Sequence, residues 1–383
     1  GVRTPLDETQ QYSWSAETEL LLPGGATILS SERTVATPSP TPASENRGGG
    51  RVALEGKYRL EEEIGRGGMG AVFRGSDEVL GRPVAIKFLL PAHRNDPIAL
   101  ERFRREAKAL ASIRHENVVQ VYSFGQDGNL DFFVMEYIRG MTSAQLLKSS
   151  KARNRRLPLG EAVRILDQAC AGLAAVHDAG MVHRDIKPSN LMIEKGSERV
   201  VIMDFGLGRP RKGADEPRRA QVRGGTPGFM APEVIAGCSL ESWEEVLADI
   251  YAFGATAYEL LTGQPLFREK NWARVLERHM VEVPEAPCKL RPSIPQGLSD
   301  VVMQCLAKEP MQRFQWCDEL RGALQPFVSI VEERLTKSPT PPPLSSPIPR
   351  KSYRTPSEIS EGPRIVVVSE DVDFRTSVYS VAR

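Results

Sequence analysis

Four side chains in one short stretch could share a single chemistry. Asp185, Lys187 and Asn190 lie within His183-Arg184-Asp185-Ile186-Lys187-Pro188-Ser189-Asn190, and Asp204 follows Asn190 by fourteen residues in Asp204-Phe205-Gly206. Together they offer a carboxylate base, a cation and two oxygen ligands for a hard metal. Moving a phosphoryl group needs that set, because the reaction is mostly positioning and charge stabilisation. A lone loop aspartate is more often a capping group. That reading leaves the spacing of Lys187 and Asn190 behind Asp185, and an Asp-Phe-Gly after an apolar run, without an explanation.

A phosphoryl donor also needs a cradle for its anionic groups. Ile64-Gly65-Arg66-Gly67-Gly68-Met69-Gly70-Ala71-Val72 lies between two expected strands, where glycines let backbone approach phosphates closely. An ordinary glycine turn or a dinucleotide fingerprint would share the pattern, but the fingerprint opens a helix and here a strand follows. Fifteen residues past Val72, Val84-Ala85-Ile86-Lys87 puts a lysine on an apolar strand, where it needs anionic partners. Glu106 on the next expected helix is one; it could equally belong to a solvated face with Glu101, Arg102, Arg104, Arg105 and Lys108.

The elements that must position these groups follow from periodicity. Short β-branched runs predict five strands: Tyr58 to Ile64, Ala71 to Arg74, Val84 to Leu90, Val118 to Phe124 and Phe132 to Tyr137. One helix interrupts them from Ile98 to Ile113, with Phe103, Ala107 and Leu110 on one face. Beyond residue 140 helices dominate: Glu161 to Ala179, Leu247 to Thr262, Trp272 to His279, Leu298 to Lys308 and Trp316 to Glu333, with short strands only near Leu191 to Ile193 and Val200 to Met203. The expected class is α+β, a small β-rich lobe before a larger helical one, with a nucleotide cleft between them. Expected boundaries are a disordered Ser/Thr/Pro-rich leader at 1–57, a domain at 58–328 divided after residue 137, a helix end and Pro-rich linker at 329–363, and a last segment at 364–383.

In this order and spacing the motifs resemble protein kinases, in form most like the bacterial, Hanks-type serine/threonine kinases. The resemblance covers about residues 58 to 328. It implies a bilobal fold and transfer of the γ-phosphoryl group of ATP to Ser/Thr hydroxyls of proteins, autophosphorylation included. By resemblance Asp185 orients the acceptor hydroxyl, Lys187 faces the migrating group, and Asn190 and Asp204 hold Mg2+. Lys87 pairs with Glu106, the glycine loop covers the phosphates, and Met135-Glu136-Tyr137-Ile138 forms the hinge. Adenine would bond backbone groups of Glu136 and Ile138, with Met135 behind it and Val72, Ala85 and Met192 around the ring. His183 would pack under Phe205. Gly225-Thr226-Pro227-Gly228-Phe229-Met230-Ala231-Pro232-Glu233 implies a peptide-docking platform, with Thr226 bonded to Asp185 and Lys187, and Glu233 paired with Arg313. Asp249 would hold the catalytic loop from beneath. Two other readings compete: a nucleotide-binding pseudokinase scaffold, opposed by the retained Lys87, Glu106, Asp185, Asn190 and Asp204, and a small-molecule kinase, opposed by Lys187 and the platform.

Composition adds bounds. Lysine plus arginine (50) nearly equals aspartate plus glutamate (49), so net charge argues for neither nucleic acid nor membrane as partner. Five cysteines without CxxC spacing point away from zinc and disulfides and toward a cytoplasmic protein, and no apolar run is long enough for a membrane span. Lys148, Lys151, Arg153, Arg155 and Arg156 are expected in a solvated basic loop. Asp7-Glu8-Thr9-Gln10 offers an acceptor that a phosphothreonine-binding adaptor could read. Arg364 to Arg375 resembles the start of a truncated receiver domain. One departure stands out. Arg184 ordinarily accompanies control by a phosphorylated loop, yet no serine, threonine or tyrosine lies between Gly206 and Thr226; either Asp215 or Glu216 stands in for the phosphate, or the basic loop is disordered until a partner binds.

Overall fold

The computed structural model describes residues 20–21, 27–28, 53–68, 70–205, 226–238 and 240–336. Near the start, β1 (Leu20–Leu21) and β2 (Thr27–Ile28) pair antiparallel. The first lobe is a six-stranded antiparallel sheet of β3 (Ala53–Leu54), β4 (Tyr58–Arg66), β5 (Gly70–Asp77), β6 (Arg82–Leu89), β7 (Val121–Asp127) and β8 (Leu130–Glu136), in the order β3-β4-β5-β6-β8-β7. Alternation along β8 sends Phe132 and Val134 to one face, with Phe73 and Phe88, and Phe133 and Met135 to the other. On that second face lies α1 (Pro97–Ser112), which packs Phe103, Ala107 and Leu110 inward. Pro97 at its first turn and the Asp96 carboxylate, accepting from Ile98 N at 2.9 Å, start the helix at a defined place. This fixes Glu106 over the sheet.

The second lobe is built around α5 (Ser242–Thr262), between α3 (Leu159–Asp178) and α8 (Gln296–Cys305). Its Ile250, Tyr251, Phe253, Leu260 and Leu261 are fully buried, each burial contributing roughly 1.5–3 kcal/mol. A Glu241/Glu244 capping box opens α5, and Gly263 at φ 74° ends it. Around this core stand α2 (Ser143–Ala152), α4 (Pro232–Ile235), α6 (Trp272–Val281), α7 (Pro287–Leu290) and α9 (Cys317–Thr336). A three-stranded sheet, β11 (Val200–Ile202), β10 (Leu191–Glu194) and β9 (Gly140–Thr142), carries the residues before Asp204. The lobes meet where Val119 N donates to Ile202 O at 3.0 Å and Ile202 N donates to Asn117 O at 2.8 Å. This is the bilobal α+β architecture that the sequence resemblance implies.

Several expectations need correction. The sheet has a sixth strand, Ala53–Leu54, five residues ahead of the boundary set at 58 and inside the expected leader. Val118 and Val119 are buried by their contact with Ile202, so β7 begins only at Val121. The basic loop is partly a helix: Lys148 and Lys151 lie on α2, started by a Thr142/Gln145 capping box, and only Arg153, Arg155 and Arg156 follow it. The expected Met69 loop tip, Thr9 acceptor, Asp215/Glu216 stand-in, Pro-rich linker and receiver-like segment lie outside the described residues.

Candidate active site

Asp185 is the point of convergence. Its Oδ2 accepts from Lys187 Nζ at 2.6 Å and from Asn190 Nδ2 at 3.1 Å, and its Oδ1 accepts from Thr226 Oγ1 at 3.0 Å. Lys187 Nζ also donates to Thr226 Oγ1 at 2.6 Å. A short 3-10 turn, Pro188–Asn190, folds Asn190 back so that its amide nitrogen also reaches Asp185 O at 2.8 Å. Ser143 Oγ, fully buried at the start of α2, fixes that turn by donating to Pro188 O at 2.8 Å.

The loop beneath is held by Asp249 of α5. One carboxylate oxygen accepts from His183 N and the other from Arg184 N, both at 2.7 Å, and His177 Nε2 lies 2.9 Å from Oδ2. Burial pushes the Asp249 carboxyl up, but the bonds from His177 and the loop outweigh it and leave it below the usual carboxylate range. Arg184 sits at φ 67° and Asp204 at φ 54°, conformations that non-glycine residues hold only when surroundings enforce them. The His183 ring lies 4.6 Å from that of Phe205, and burial lowers its pKa, so it packs as a neutral ring.

Across the cleft, Lys87 Nζ on β6 donates to Glu106 Oε1 at 2.7 Å and to Asp204 Oδ1 at 3.0 Å. Burial alone would lower the Lys87 pKa; Asp204 and Glu106 outweigh it and hold the ammonium above the usual lysine range. Lys87 in turn holds Asp204 below the usual carboxylate range. Burial pushes Glu106 up against the pull of Lys87, but two carboxylates facing one ammonium leave the lysine charged. Lys87 and Glu106 are 14% and 13% exposed while Asp204 is 48% exposed, so the Asp204 carboxylate presents itself to the cleft.

The residues assigned to the nucleotide side occupy the following places. Ala85, Met135 and Ile138 are buried in one cluster, and Val72 and Met192 pack against it; Ile64 stays exposed at the rim. Glu136 N already donates to Gln120 O at 2.9 Å, so its carbonyl is the group left for a base, while its side chain pairs with Arg199. In the glycine loop, Arg66 pairs with Ala71 and its guanidinium is committed to Glu63 at 2.6 and 2.8 Å, leaving only backbone for a phosphate. Gly67 N donates to Gly70 O at 2.8 Å to close the turn after Gly65. A Cβ on Gly70 would come within 2.7 Å of Phe88 O, so strand contact alone demands glycine there; a Cβ on Gly68 would meet nothing within 4 Å.

Among the described residues no cluster of three or more His, Cys, Asp or Glu could hold a metal by itself. The site instead offers one carboxylate, Asp204, and one amide oxygen, Asn190 Oδ1, which accepts only a 3.4 Å bond from Ser189. That donor set fits Mg2+, which binds through one or two protein oxygens and completes its shell with phosphate and water.

Beside Asp185 a cleft opens between the Thr226 segment and α5, lined by Phe229, Met230, Val234, Leu240 and Ala252. Arg313, wholly buried, anchors this segment by donating to Glu233 Oε1 and Oε2 at 2.7 and 2.9 Å. Three participants escaped the sequence reading: His177 below Asp249, Arg199 behind the hinge, and Glu245, whose two oxygens each accept from Arg184 Nη2 at 2.8 Å. Glu245 lies one helical turn before Asp249, and that i, i+4 spacing was the available signal.

Residues 58–323 match the family described as protein kinase domain. The chain is 34% identical over 332 residues to the serine/threonine-protein kinase pkn3 of Myxococcus xanthus, covering 82% of this chain and 58% of that one. It is 32% identical to PrkC of Bacillus subtilis (71% and 40% covered) and 34% identical to PknB of Mycobacterium leprae (71% and 43%), both serine/threonine-protein kinases. It thus spans well under two thirds of each relative's length. The crystal structure of the Mycobacterium tuberculosis PknI kinase domain superposes with a TM-score of 0.54 at 25% identity, covering 70% of this chain and 96% of that one. The chain belongs to the protein kinase domain family, among its bacterial, Hanks-type serine/threonine members.

Proposed function

We propose that this chain transfers the γ-phosphoryl group of ATP to serine and threonine hydroxyls of proteins, its own included, in signal transduction. The observation that carries the reading is the convergence of Lys187, Asn190 and Thr226 on Asp185, opposite the Lys87–Glu106–Asp204 cluster. Asp185 accepts hydrogen bonds at both oxygens and is placed to take one from an incoming hydroxyl, orienting it and receiving its proton as the new P–O bond forms, the bond from the γ-phosphorus to the bridging oxygen breaks and ADP leaves. Lys187 faces the same point and offsets charge on the migrating group. Lys87 holds the other phosphates of the donor, steadied by Glu106. Asp204 and Asn190 would hold Mg2+, which would supply Lewis-acid neutralisation of the charge on the departing ADP. Adenine lies against Val72, Ala85 and Met192, bonded to backbone at Glu136 and Ile138.

Protein acceptors, rather than small molecules, are favoured by the apolar cleft that runs from Asp185 along Phe229, Met230 and Val234. An extended peptide can lay its acceptor at Asp185 and an apolar neighbour in that cleft. No helix among the described residues is long and apolar enough to cross a membrane. A cytoplasmic site of action, a phosphothreonine-reading adaptor at Thr9 and a domain ending near residue 328 belong to the same proposal. The test is transfer of label from ATP in Mg2+ to a protein acceptor, beside Asp185→Asn. Asparagine cannot accept at both oxygens, so a loss of about 10²–10⁴-fold with ATP binding retained is expected. Retained ATP binding without transfer by the unaltered chain would favour a scaffold instead.

A further inference from the structure

We propose that Glu245 is a positioning residue for phosphoryl transfer, holding Arg184 in place of a phosphate group, so that the catalytic loop is assembled without phosphorylation between Leu207 and Gly225. The inference rests on the kinase reading above and deepens it.

Arg184 is adjacent to Asp185 and its backbone is held at φ 67°, so the loop stays in register only while something grips this residue. Two grips come from one helix. Asp249 takes the Arg184 backbone N–H at 2.7 Å, and Glu245, one turn earlier on α5, takes Nη2 at 2.8 Å on each carboxylate oxygen. The pair is shielded, with side chains 18% and 20% exposed, so its attraction is less screened than that of a surface pair. The capping box of Glu241 and Glu244 fixes the first turn of α5, immediately before Glu245.

The sequence supplies an independent observation. From Leu207 to Gly225 there is no hydroxyl that could carry a phosphate, while Arg209, Arg211, Lys212, Arg218, Arg219 and Arg223 outnumber Asp215 and Glu216. A phosphate would act on Arg184 as a charge-assisted hydrogen-bond acceptor. Glu245 already offers that contact from a rigid, permanent position. Without it, the guanidinium beside the base loses this bidentate charge-assisted contact, and the strained backbone at Arg184 loses the support that the contact gives.

The experiment compares the full chain, Glu245→Gln, Glu245→Asp, Arg184→Gln and the Arg184→Gln/Glu245→Gln double variant. Initial rates on a Ser/Thr protein acceptor are measured before and after phosphatase treatment, with KM for ATP and a thermal melt for each. We expect phosphatase to leave the unaltered chain within about twofold of its starting kcat. Glu245→Gln should lower kcat by about ten- to a hundredfold, the scale of a misplaced reacting group, with KM for ATP held within about twofold. Aspartate should recover part of the loss, and the double variant should be no worse than Arg184→Gln, because that single change already removes the contact with Glu245. Loss of activity on phosphatase treatment, a Glu245→Gln enzyme as fast as the unaltered one, or multiplying losses in the double variant would each overturn the inference while leaving the kinase reading intact. Should Glu245→Gln fail to fold, the phosphatase arm and Arg184→Gln against Glu245→Asp still decide it. An unaltered chain that binds ATP and transfers nothing removes both readings together.

Discussion

Glu233→Gln should destabilise the domain far more than a surface substitution. The Arg313 side chain is 0% exposed and donates five bonds: to the two Glu233 oxygens at 2.7 and 2.9 Å, and to the carbonyl oxygens of Ala307, Leu247 and Lys308 at 2.8, 2.9 and 3.1 Å. Glutamine keeps the shape but offers one neutral oxygen, so the buried guanidinium loses its counter-charge. Removing one partner of a buried pair typically costs about 3–5 kcal/mol, and the three remaining carbonyls place this case at the lower end, about 3 kcal/mol. At about 2–4 °C per kcal/mol for a domain of this size, the melting temperature should fall by roughly 6–12 °C. Thermal unfolding followed by circular dichroism measures it. The same change should raise KM for the protein acceptor but not for ATP, because α4 directly follows the Thr226 segment while the hinge lies elsewhere. A melting temperature within about 1 °C of the unaltered chain would refute the argument.

Three further outcomes follow from the geometry. Lys87→Met leaves Glu106 and Asp204 without their shared ammonium, so kcat should fall by about a hundredfold or more in a transfer assay with the fold retained by circular dichroism. Gly140→Ala puts a Cβ 1.8 Å from Ile193 O, which forces β9 from β10; we expect at least about 2–3 kcal/mol lost in urea unfolding. His279 is fully buried, and burial first, then the Lys308 ammonium, push its pKa from 6.5 down to about 4. The unfolded chain takes up that proton near pH 6.5 and the folded one resists it. Stability from this group is therefore whole above pH 6.5 and declines toward pH 4, by on the order of 3 kcal/mol. Chemical unfolding across that range should show the slope, and His279→Gln should flatten it.

Local chemistry was legible in the sequence where local turns do the positioning. Lys187 and Asn190 reach Asp185 through a 3-10 turn only a few residues long, so their spacing carried the geometry. Among longer-range pairs, Arg313 with Glu233 was legible only through resemblance and Lys87 with Asp204 was not anticipated, because no local period encodes either. Glu245 was missed because Glu241, Glu244 and Glu245 together look like acids satisfying a helix N-terminus. Its neighbours do that work, and Glu245 does not. The α2 helix was missed for another reason: it buries only Ser143, so its sequence lacks an apolar stripe, although Thr142-Ser143-Ala144-Gln145 carries the capping-box pattern. Val118 and Val119 read as strand residues because they are buried, but what buries them is the other lobe.

The contacts on the catalytic loop come largely from one helix. Asp249 takes the backbone of His183 and Arg184, Thr256 Oγ1 lies 3.4 Å from Ile186 O, and Glu245 takes the Arg184 guanidinium. The same helix offers Leu247 O to Arg313, which in turn holds Glu233 and the platform. Base and platform therefore share α5 as a common reference. A shift of α5 would move both together and leave the Asp185–Thr226 contact intact, whereas a break at Glu245 or Glu233 would move one against the other. That asymmetry explains why polar grips, rather than extra apolar burial, fix the two ends: hydrogen bonds set direction as well as distance, and phosphoryl transfer depends on both.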